Sequence, residues 1–483
     1  MIDEILVNVG LLDTRIALLD EGRLAEAIFA PAGEAAMVGR LYLGRVTHVA
    51  NGVQAAFVDI GLDRSGFLPA RDARYADGVG SVGDRPRIAE AVHEGQAVLV
   101  QVTKEPIGDK GPRLSTDITL PGRHLVLAPW RRGVSISRRI GDEAERDRLA
   151  AAVSGLDGDG GLILRTAAVG VDADDLRDEA ARLMETWAGI SARGGTAEPP
   201  ACVEAGIDPV CAALRDHMSP DVRRVVVDDG ATLGRLRDYC AAALPWSVAR
   251  LEHHQGPAPL FDSYDVEGDI DVALQPRVSL PSGGAIVIEA TEALTAVDVN
   301  SGRYTAGVDA EETALRTNLE AAEEIAWQLR LRDIGGIVVV DFMRMSGEGN
   351  VAKVLDTFGQ ALARDRAPVR VAGMSELGLV EMTRRRVREP LAHLLTEPAP
   401  VMAAGGRQPT VAAVTAALLR RAEAEAAAMP GRPLLISAAP EIIARLGDDD
   451  DRLTQALANR LGCAVTLHAD PAHGRDDYRI GPA

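Results

Sequence analysis

The chain has 483 residues, 47% hydrophobic and 25% charged, an ordinary globular composition long enough for roughly three or four cores. Its formal net charge of −19 argues against a general nucleic-acid sponge, which would be basic, but leaves local basic patches open. Met1-Ile2-Asp3-Glu4 has no basic leader, no apolar run is long enough to span a bilayer, and Cys202, Cys211, Cys240 and Cys463 lack zinc or disulfide spacing. These features predict a cytoplasmic protein with reduced core cysteines.

Residues 1–36 alternate as a hairpin: Ile5, Val7 and Val9, then Arg15 to Leu19, a turn at Asp20-Glu21-Gly22, and a return through Ala27-Ile28-Phe29. That is too little for a domain, so the hairpin should pair with a later segment. Residues 37–118 read as short strands with glycine turns: Tyr42–Val49, Val53–Ile60, Gly66–Pro69, Val98–Thr103 and Arg113–Ser115. Strands of this kind predict a small Greek-key barrel. Phe57 and Phe67 stand out because aromatics make up only 3% of the chain. Such barrels bind single strands by stacking bases on exposed aromatics beside cations, here Lys104 and Lys110. The plainer reading places both phenylalanines in the core.

Residues 119–200 should hold a second barrel-edge region and a helix from about Ala173 to Ala192. Arg165 with Thr166 offers a guanidinium fork and a hydroxyl, a combination suited to a terminal phosphate. Taken alone, such a pair at a strand end is more often structural. Gly194–Pro200 is breaker-rich and reads as a linker. Residues 201–272 alternate helix near 207–217, strand Val222–Val227, helix 231–243 and strand Ser247–Glu252. Arg131-Arg132, Arg138-Arg139 and the run Arg384–Arg388 are basic clusters. A solvated helix face is the plain alternative for each, and the favoured one for the last.

Residues 273–399 carry the chemistry. Arg277–Leu280 and Ala285–Glu289 flank a Pro-Ser-Gly-Gly turn as a hairpin. In Leu294–Gly302, alternation places Asp298 and Asn300 on one side of a strand. The β-branched run in Gly335–Phe342 reads as a strand buried on both faces, with Asp341 at its carboxyl end. Between them Leu315, Leu319, Ala322, Ala326 and Leu329 recur at helical spacing. Asp309 followed by Glu312 resembles a capping box, and Gly335-Gly336 ends the helix. Strand, helix and strand predict a parallel crossover, beyond whose carboxyl ends ligands collect. Two carboxylates there repel unless a cation lies between them. Magnesium suits the arrangement, because it takes one or two carboxylates and leaves its other positions to water and substrate phosphate. Either aspartate alone is more simply a helix cap; with Asn300 the set becomes a candidate site. Residues 400–483 read as an Ala/Arg-rich helix, strand Leu434–Ser437, an acidic turn Asp448–Asp451, another helix and strand Ala464–His468. His468 and His473 lack partners at ligand spacing and read as solvated surface.

Several stretches, in this order, resemble the ribonuclease E/ribonuclease G family: Gly44–Val46, Ala55–Gly61, Gly66–Pro69, Glu94–Glu105, Leu125–Leu127, Ile136–Ile140, Leu164–Gly170 and Pro259–Asp262. The most specific are Leu280–Gly284, Glu292–Ser301 and Asn318–Ala322, followed by Leu329–Gly336 and Gly378–Arg384. They span nearly the whole chain, and its short length looks like the ribonuclease G branch. The resemblance implies a multidomain α+β and α/β fold. A ribonuclease-H-like subdomain (1–36 with 201–272) would accept an S1-type OB barrel (37–118) and a 5′-phosphate sensor region (119–200). A DNase-I-like catalytic subdomain (273–399) and a small C-terminal α/β domain (400–483) would follow.

For function, the resemblance implies a magnesium-dependent endoribonuclease, with manganese as a substitute ion. It would cut single-stranded RNA to 5′-phosphate and 3′-hydroxyl ends in RNA processing and decay, favouring 5′-monophosphorylated substrates. Asp298 and Asp341 would bind the ion, and Asn300 would contact the scissile phosphate or the attacking water. Phe57, Phe67, Lys104 and Lys110 would bind RNA, and Gly122, Val126, Arg138, Arg165 and Thr166 would form the sensor. Glu376 replaces a sensor-supporting arginine of ribonuclease E. The family's zinc-link cysteines are replaced by Ala399 and Met402, which cannot bind zinc. A homodimer, if formed, would therefore not be held by zinc. The rival readings are a non-catalytic RNA-binding or assembly protein on the same scaffold, and a phosphodiesterase acting on DNA.

Overall fold

The structure, a computed structural model, describes residues 2–31, 37–74, 87–106, 110–156, 160–256, 258–302, 310–399, 406–447 and 452–483. Asp309, Met402 and the acidic turn at 448–451 lie outside the described residues. In chain order come β1 (Glu4–Val9), β2 (Asp13–Asp20), β3 (Arg23–Pro31), β4 (Leu41–Ala50), β5 (Ala55–Asp59), β6 (Gly66–Pro69), α1 (Ile88–Ala91), β7 (Ala97–Lys104) and β8 (Arg113–Ser115). Then follow β9 (Leu120–Pro121), β10 (Leu125–Ala128), β11 (Val134–Ile136), α2 (Glu143–Ala152), β12 (Gly161–Leu164), α3 (Ala173–Thr196) and β13 (Ala201–Glu204). Next are α4 (Pro209–His217), β14 (Arg224–Val227), α5 (Gly230–Ala243), β15 (Leu251–His253), α6 (Val266–Leu274), β16 (Arg277–Ser279), β17 (Ala285–Ala290) and β18 (Leu294–Asn300). After them come α7 (Ala310–Leu331), β19 (Gly336–Asp341), α8 (Glu348–Leu362), β20 (Val369–Met374), β21 (Leu379–Arg384), α9 (Leu391–Leu395), β22 (Thr396–Pro398) and β23 (Arg407–Pro409). The chain closes with α10 (Val411–Ala428), β24 (Leu434–Ala438), α11 (Pro440–Gly447), α12 (Arg452–Leu461), β25 (Val465–Ala469) and β26 (Tyr478–Pro482).

The chain forms two compact units: residues 1–32, 219–237 and 249–483, and residues 33–218 with 238–248. In the second unit β4, β5, β6, β8 and β7 close into a five-stranded barrel through β4–β7 pairing, and β13 extends it beside β4. Val46, Val58, Leu68, Val100 and Leu114 fill the barrel. A four-stranded sheet, β11-β12-β10-β9, packs Leu125, Leu127, Leu162 and Leu164 against Leu176 and Ala180 of α3. Gly194 and Gly195 lie inside α3 rather than in a linker. Nearby, Arg193 donates from Nε to Val203 O at 3.0 Å and from Nη2 to Glu204 at 2.6 Å, linking the helix to the following strand. Cys202 on β13 is exposed, unlike the buried Cys211 and Cys240.

In the first unit β1, β2 and β3 pair with β14 and β15, so the N-terminal hairpin completes a five-stranded sheet with strands from residues 224–253. Its turn holds Glu21 and Gly22 at φ +55° and +78°, the pair of left-handed residues a tight hairpin needs. The stretch from residue 245 is a 3₁₀ turn, Pro245–Arg250, before the short β15. A six-stranded sheet runs β16-β17-β18-β19-β21-β20, with β18 and β19 parallel around α7, the expected crossover.

Among the described residues this sheet is covered on one face only. Ile286, Val297, Val299, Val338, Val340, Val380 and Met382 pack with Ile325 and Leu329 of α7 and Val354 and Phe358 of α8. The opposite face is open, and Ile337 is 51% exposed. Strand β19 is therefore not buried on both sides. Its β-branched composition reflects strand propensity, not a second covering layer.

Strand β21 ends in the run Arg384–Arg388, which is not a solvated helix face. The Arg384 side chain is only 2% exposed, and donates to Asp365 at 2.7 Å and Asp333 at 3.0 Å. Arg388 donates to Asp333 at 2.6 Å and to Glu26 at 2.8 Å. In the C-terminal region His473 is packed rather than solvated, its ring 2.7 Å from Asp477, whereas His468 is exposed. Among the described residues no helix is long and apolar enough to cross a membrane.

Candidate functional site

The two-residue repeat of β18 decides which side chains reach the open face. Thr295, Val297 and Val299 are buried, while Ala296, Asp298 and Asn300 are exposed. Asp298 lies in register with Asp341 on the neighbouring parallel strand, which puts the two Cα atoms about 4.8 Å apart. Directly paired residues share a face, so both carboxylates look out from the uncovered side. Asn300 Nδ2 donates to Asp298 Oδ2 at 2.6 Å, fixing one carboxylate. Among the described residues no cationic side chain pairs with Asp298 or Asp341. Two adjacent hard-oxygen donors with no protein cation between them fit a magnesium ion. Among the described residues there is no group of three or more His, Cys, Asp or Glu side chains that could hold a metal, so the remaining ligands would come from water and substrate.

The backbone leaving Asp341 is clamped by a residue the sequence reading passed over as part of a motif. Asn318, on α7 and fully buried, donates from Nδ2 to Met343 O at 2.8 Å and accepts from Met343 N–H at 2.9 Å. Glu311 accepts from the N–H groups of Ser346 and Gly347 and from Asn350 Nδ2. These backbone and side-chain donors hold its carboxyl below the usual range. The available signal for Asn318 was its place on the buried side of α7, within a turn of Ala314, Ala321 and Ala322.

On the barrel, Phe57 and Phe67 are a cross-strand pair with ring centroids 5.9 Å apart and edge-to-face. Both are half-buried and neither belongs to the barrel core, so the core alternative does not hold. His48 stacks on Phe57 at 6.4 Å and pairs with Glu94 at 3.0 Å. Lys104 and Lys110 are exposed, with no hydrogen bond or ion pair to other described residues.

The five sensor candidates surround one edge of the β11-β12-β10-β9 sheet. Strands β11 and β12 are parallel, so Arg138 and the Arg165-Thr166 pair leave them at the same end. Antiparallel β10 begins there, which brings Gly122 and His124 to that edge, and Val126 pairs with Ile163. Ser137 Oγ lies 3.5 Å from Thr166 Oγ1. Arg138 is exposed and has no partner among the described residues.

Arg165 Nη1 donates to Gly122 O at 2.7 Å and to Asp216 Oδ1 at 2.9 Å, leaving Nε and Nη2 without a described partner. Burial pushes the Asp216 carboxyl up, but hydrogen bonds and charge from Arg215 and then Arg165 outweigh it and hold it at about 2. Beneath them Glu179 accepts from His124 N–H, His124 Nδ1 and Leu125 N–H. Burial raises its pKa, and these donors more than offset that and lower it. A Cβ on Gly122 would meet Glu179 Oε1 at 2.1 Å, so a larger residue there must displace this hydrogen-bonded carboxylate. Neither Asp216 nor Glu179 carried a sequence signal; each is remote in the chain from the arginine or loop it supports.

Glu376 is exposed in the turn between β20 and β21. Ala399 sits in the β22–β23 hairpin, its N–H donating to Gly406 O at 2.8 Å. The chain has no zinc-binding cysteine cluster, for no cysteine lies between Cys240 and Cys463.

Comparison with known proteins matches residues 119–387 to the Ribonuclease E/G family. A protein named Ribonuclease G from Salmonella typhimurium is 38% identical over 99% of both chains. Ribonuclease G from Escherichia coli K12 is 37% identical with the same coverage. A Ribonuclease E from Nostoc is 41% identical over 82% of this chain but only 57% of its own length.

Proposed function

The chain belongs to the ribonuclease E/G family, closer to its ribonuclease G branch, and from that premise we propose that it is a magnesium-dependent endoribonuclease acting on single-stranded RNA. Family membership supports a ribonuclease-type activity. The observation that carries the finer reading is the in-register pair Asp298 and Asp341 on an open sheet face, with no described cation to neutralise it. Asp298 and Asp341 would hold the ion, which when bound supplies Lewis-acid stabilisation of charge growing on the phosphoryl oxygens.

The chain's own groups bind and orient. Asn300 fixes Asp298 through Nδ2 and offers its remaining amide atoms to the scissile phosphate or the attacking water. Orientation of that water contributes through proximity, since magnesium acidifies water less than zinc does. Phe57 and Phe67 offer ring surfaces for base stacking, and Lys104 and Lys110 offer backbone charge. At the sensor, Asp216 and the Gly122 carbonyl orient Arg165, so that Nε and Nη2 face a terminal 5′-phosphate beside Thr166 and Arg138. Products would carry 5′-phosphate and 3′-hydroxyl ends.

The test is a labelled 5′-monophosphorylated oligoribonucleotide incubated with the protein, with magnesium or with chelator, beside a deoxy version. Cutting of RNA alone, dependent on the metal, is expected. Cutting without metal, or none, refutes the enzyme reading. Asp298→Asn should abolish turnover while RNA still binds; undiminished turnover removes Asp298 from the site.

A further inference from the structure

The open face of the catalytic sheet carries one cation in line with the carboxylate pair. Register places Arg277, Val287, Asp298 and Asp341 in a single row across β16, β17, β18 and β19. Directly paired residues project to the same side, and Arg277, Asp298 and Asp341 are all exposed. Arg277 stands on the edge strand, two strand spacings from Asp298, or roughly 9–10 Å between Cα atoms. It makes no ion pair with Glu289, two residues along the neighbouring strand from Val287, nor with any other described carboxylate. Exposed carboxylates Glu289 and Glu381 lie on the adjoining row, and among the described strand residues the other exposed cation on this face is Arg370, paired with Thr383 near the far edge.

We propose that Arg277 is a backbone-phosphate subsite, holding a phosphodiester adjacent to the one presented to Asp298 and Asp341. The proposal rests on the nuclease reading above and names a specificity-bearing contact within it. Its physical basis is charge complementarity and continuity with the carboxylate pair. The half-buried Val287 separates the cation from the carboxylates, so Arg277 serves a neighbouring linkage rather than the one being cut. Arginine suits the task because its planar fork matches a phosphate edge.

The experiment measures binding of a 5′-hydroxyl oligoribonucleotide in chelator, where no cutting occurs, as a function of salt. For a single strand each phosphate contact adds about 0.7 to the magnitude of the log–log slope. Arg277→Gln should lower the slope by about that amount, and Arg277→Lys should restore most of it. With magnesium, Arg277→Gln should raise KM roughly tenfold, the worth of one charged hydrogen bond, with kcat and the thermal midpoint held. A neutral methylphosphonate at the adjacent linkage should reproduce the loss in the wild type and add nothing in Arg277→Gln.

An unchanged slope, or a methylphosphonate effect that persists in Arg277→Gln, overturns the proposal while leaving the nuclease reading intact. Absence of cutting by the wild type fails that reading instead, and is visible separately from the salt slope.

Discussion

Asp216→Asn separates Arg165, the arginine proposed to bind the 5′-phosphate, from the group that aims it. Asp216 accepts from Arg165 Nη1 at 2.9 Å, Arg215 Nε at 3.1 Å and Arg215 Nη2 at 2.7 Å. Burial raises its pKa, yet Arg215 and Arg165 bring it from the usual 3.8 to about 2. The side chain is 30% exposed, so screening is partial, and the difference corresponds to about 2 kcal/mol in favour of the charged form. Because the folded value is depressed, this contribution is complete above the unfolded pKa of about 4 and is lost as pH falls through about 2. Between about pH 5 and 9 the tether does not titrate, whereas a 5′-monophosphate loses its second charge below about pH 6. The assay is the ratio of kcat/KM for 5′-monophosphorylated over 5′-hydroxyl forms of one oligoribonucleotide. In the wild type the ratio should fall as pH drops through about 6. In Asp216→Asn at pH 7 it should drop at least about tenfold, which takes only about 1.4 kcal/mol of the interaction. A variant that keeps the wild-type ratio and loses no stability refutes the tether.

Three further changes probe the supports. Asn318→Leu keeps the branching and heavy-atom count but strips both hydrogen bonds to Met343. It should cost about 2–4 kcal/mol and raise the magnesium concentration for half-maximal cutting, and an unmoved unfolding midpoint would count against the clamp. Gly122→Ala drives a Cβ to 2.1 Å from Glu179 Oε1, an atom already held by donors. A loss of about 1–3 kcal/mol and of 5′-monophosphate preference is expected from denaturation and the ratio assay, and a silent substitution would show that the loop yields. Asp365→Ala leaves Arg384 buried with Asp333 as its remaining acidic partner. Urea unfolding should report a loss of about 3 kcal/mol, and a loss under about 1 kcal/mol would mean that water reaches the guanidinium.

Much of the fold was legible because its periodicities are local. The alternation of β18 and the helical spacing of α7 each fit one element type, and two glycines and a β-branched run mark where β19 starts. What local pattern could not reveal is which faces are covered. Ile337-Val338-Val339-Val340 reads as doubly buried, but Ile337 faces solvent because both α7 and α8 pack on the other side. Arg384–Arg388 fails for the converse reason. A dense cationic run reads as solvated, as its middle residues Arg385 and Arg386 are, but Asp333, Asp365 and Glu26, from three separate segments, hold Arg384 and Arg388 at its two ends. Burial of charge depends on partners that the sequence does not place next to it.

The single-sided sheet is also what would let the carboxylate pair serve a substrate under the proposed function. Had a second layer covered β18 and β19, Asp298 and Asp341 would have been buried like charges, and one of them would have been forced neutral. A neutral acid is a poor magnesium ligand, and no polymer could reach it. The open face instead leaves both side chains exposed, where an ion and a polymer could reach them. On the proposed function, Asn300 suits its place beside Asp298: an amide orients the carboxylate through Nδ2 without supplying a positive charge that would compete with an ion there. A lysine at position 300 should therefore damage the site more than alanine does. It would bring an ammonium beside Asp298, and should raise the magnesium requirement well above that of Asn300→Ala. Equal magnesium titrations for the two variants would show that charge next to Asp298 is immaterial.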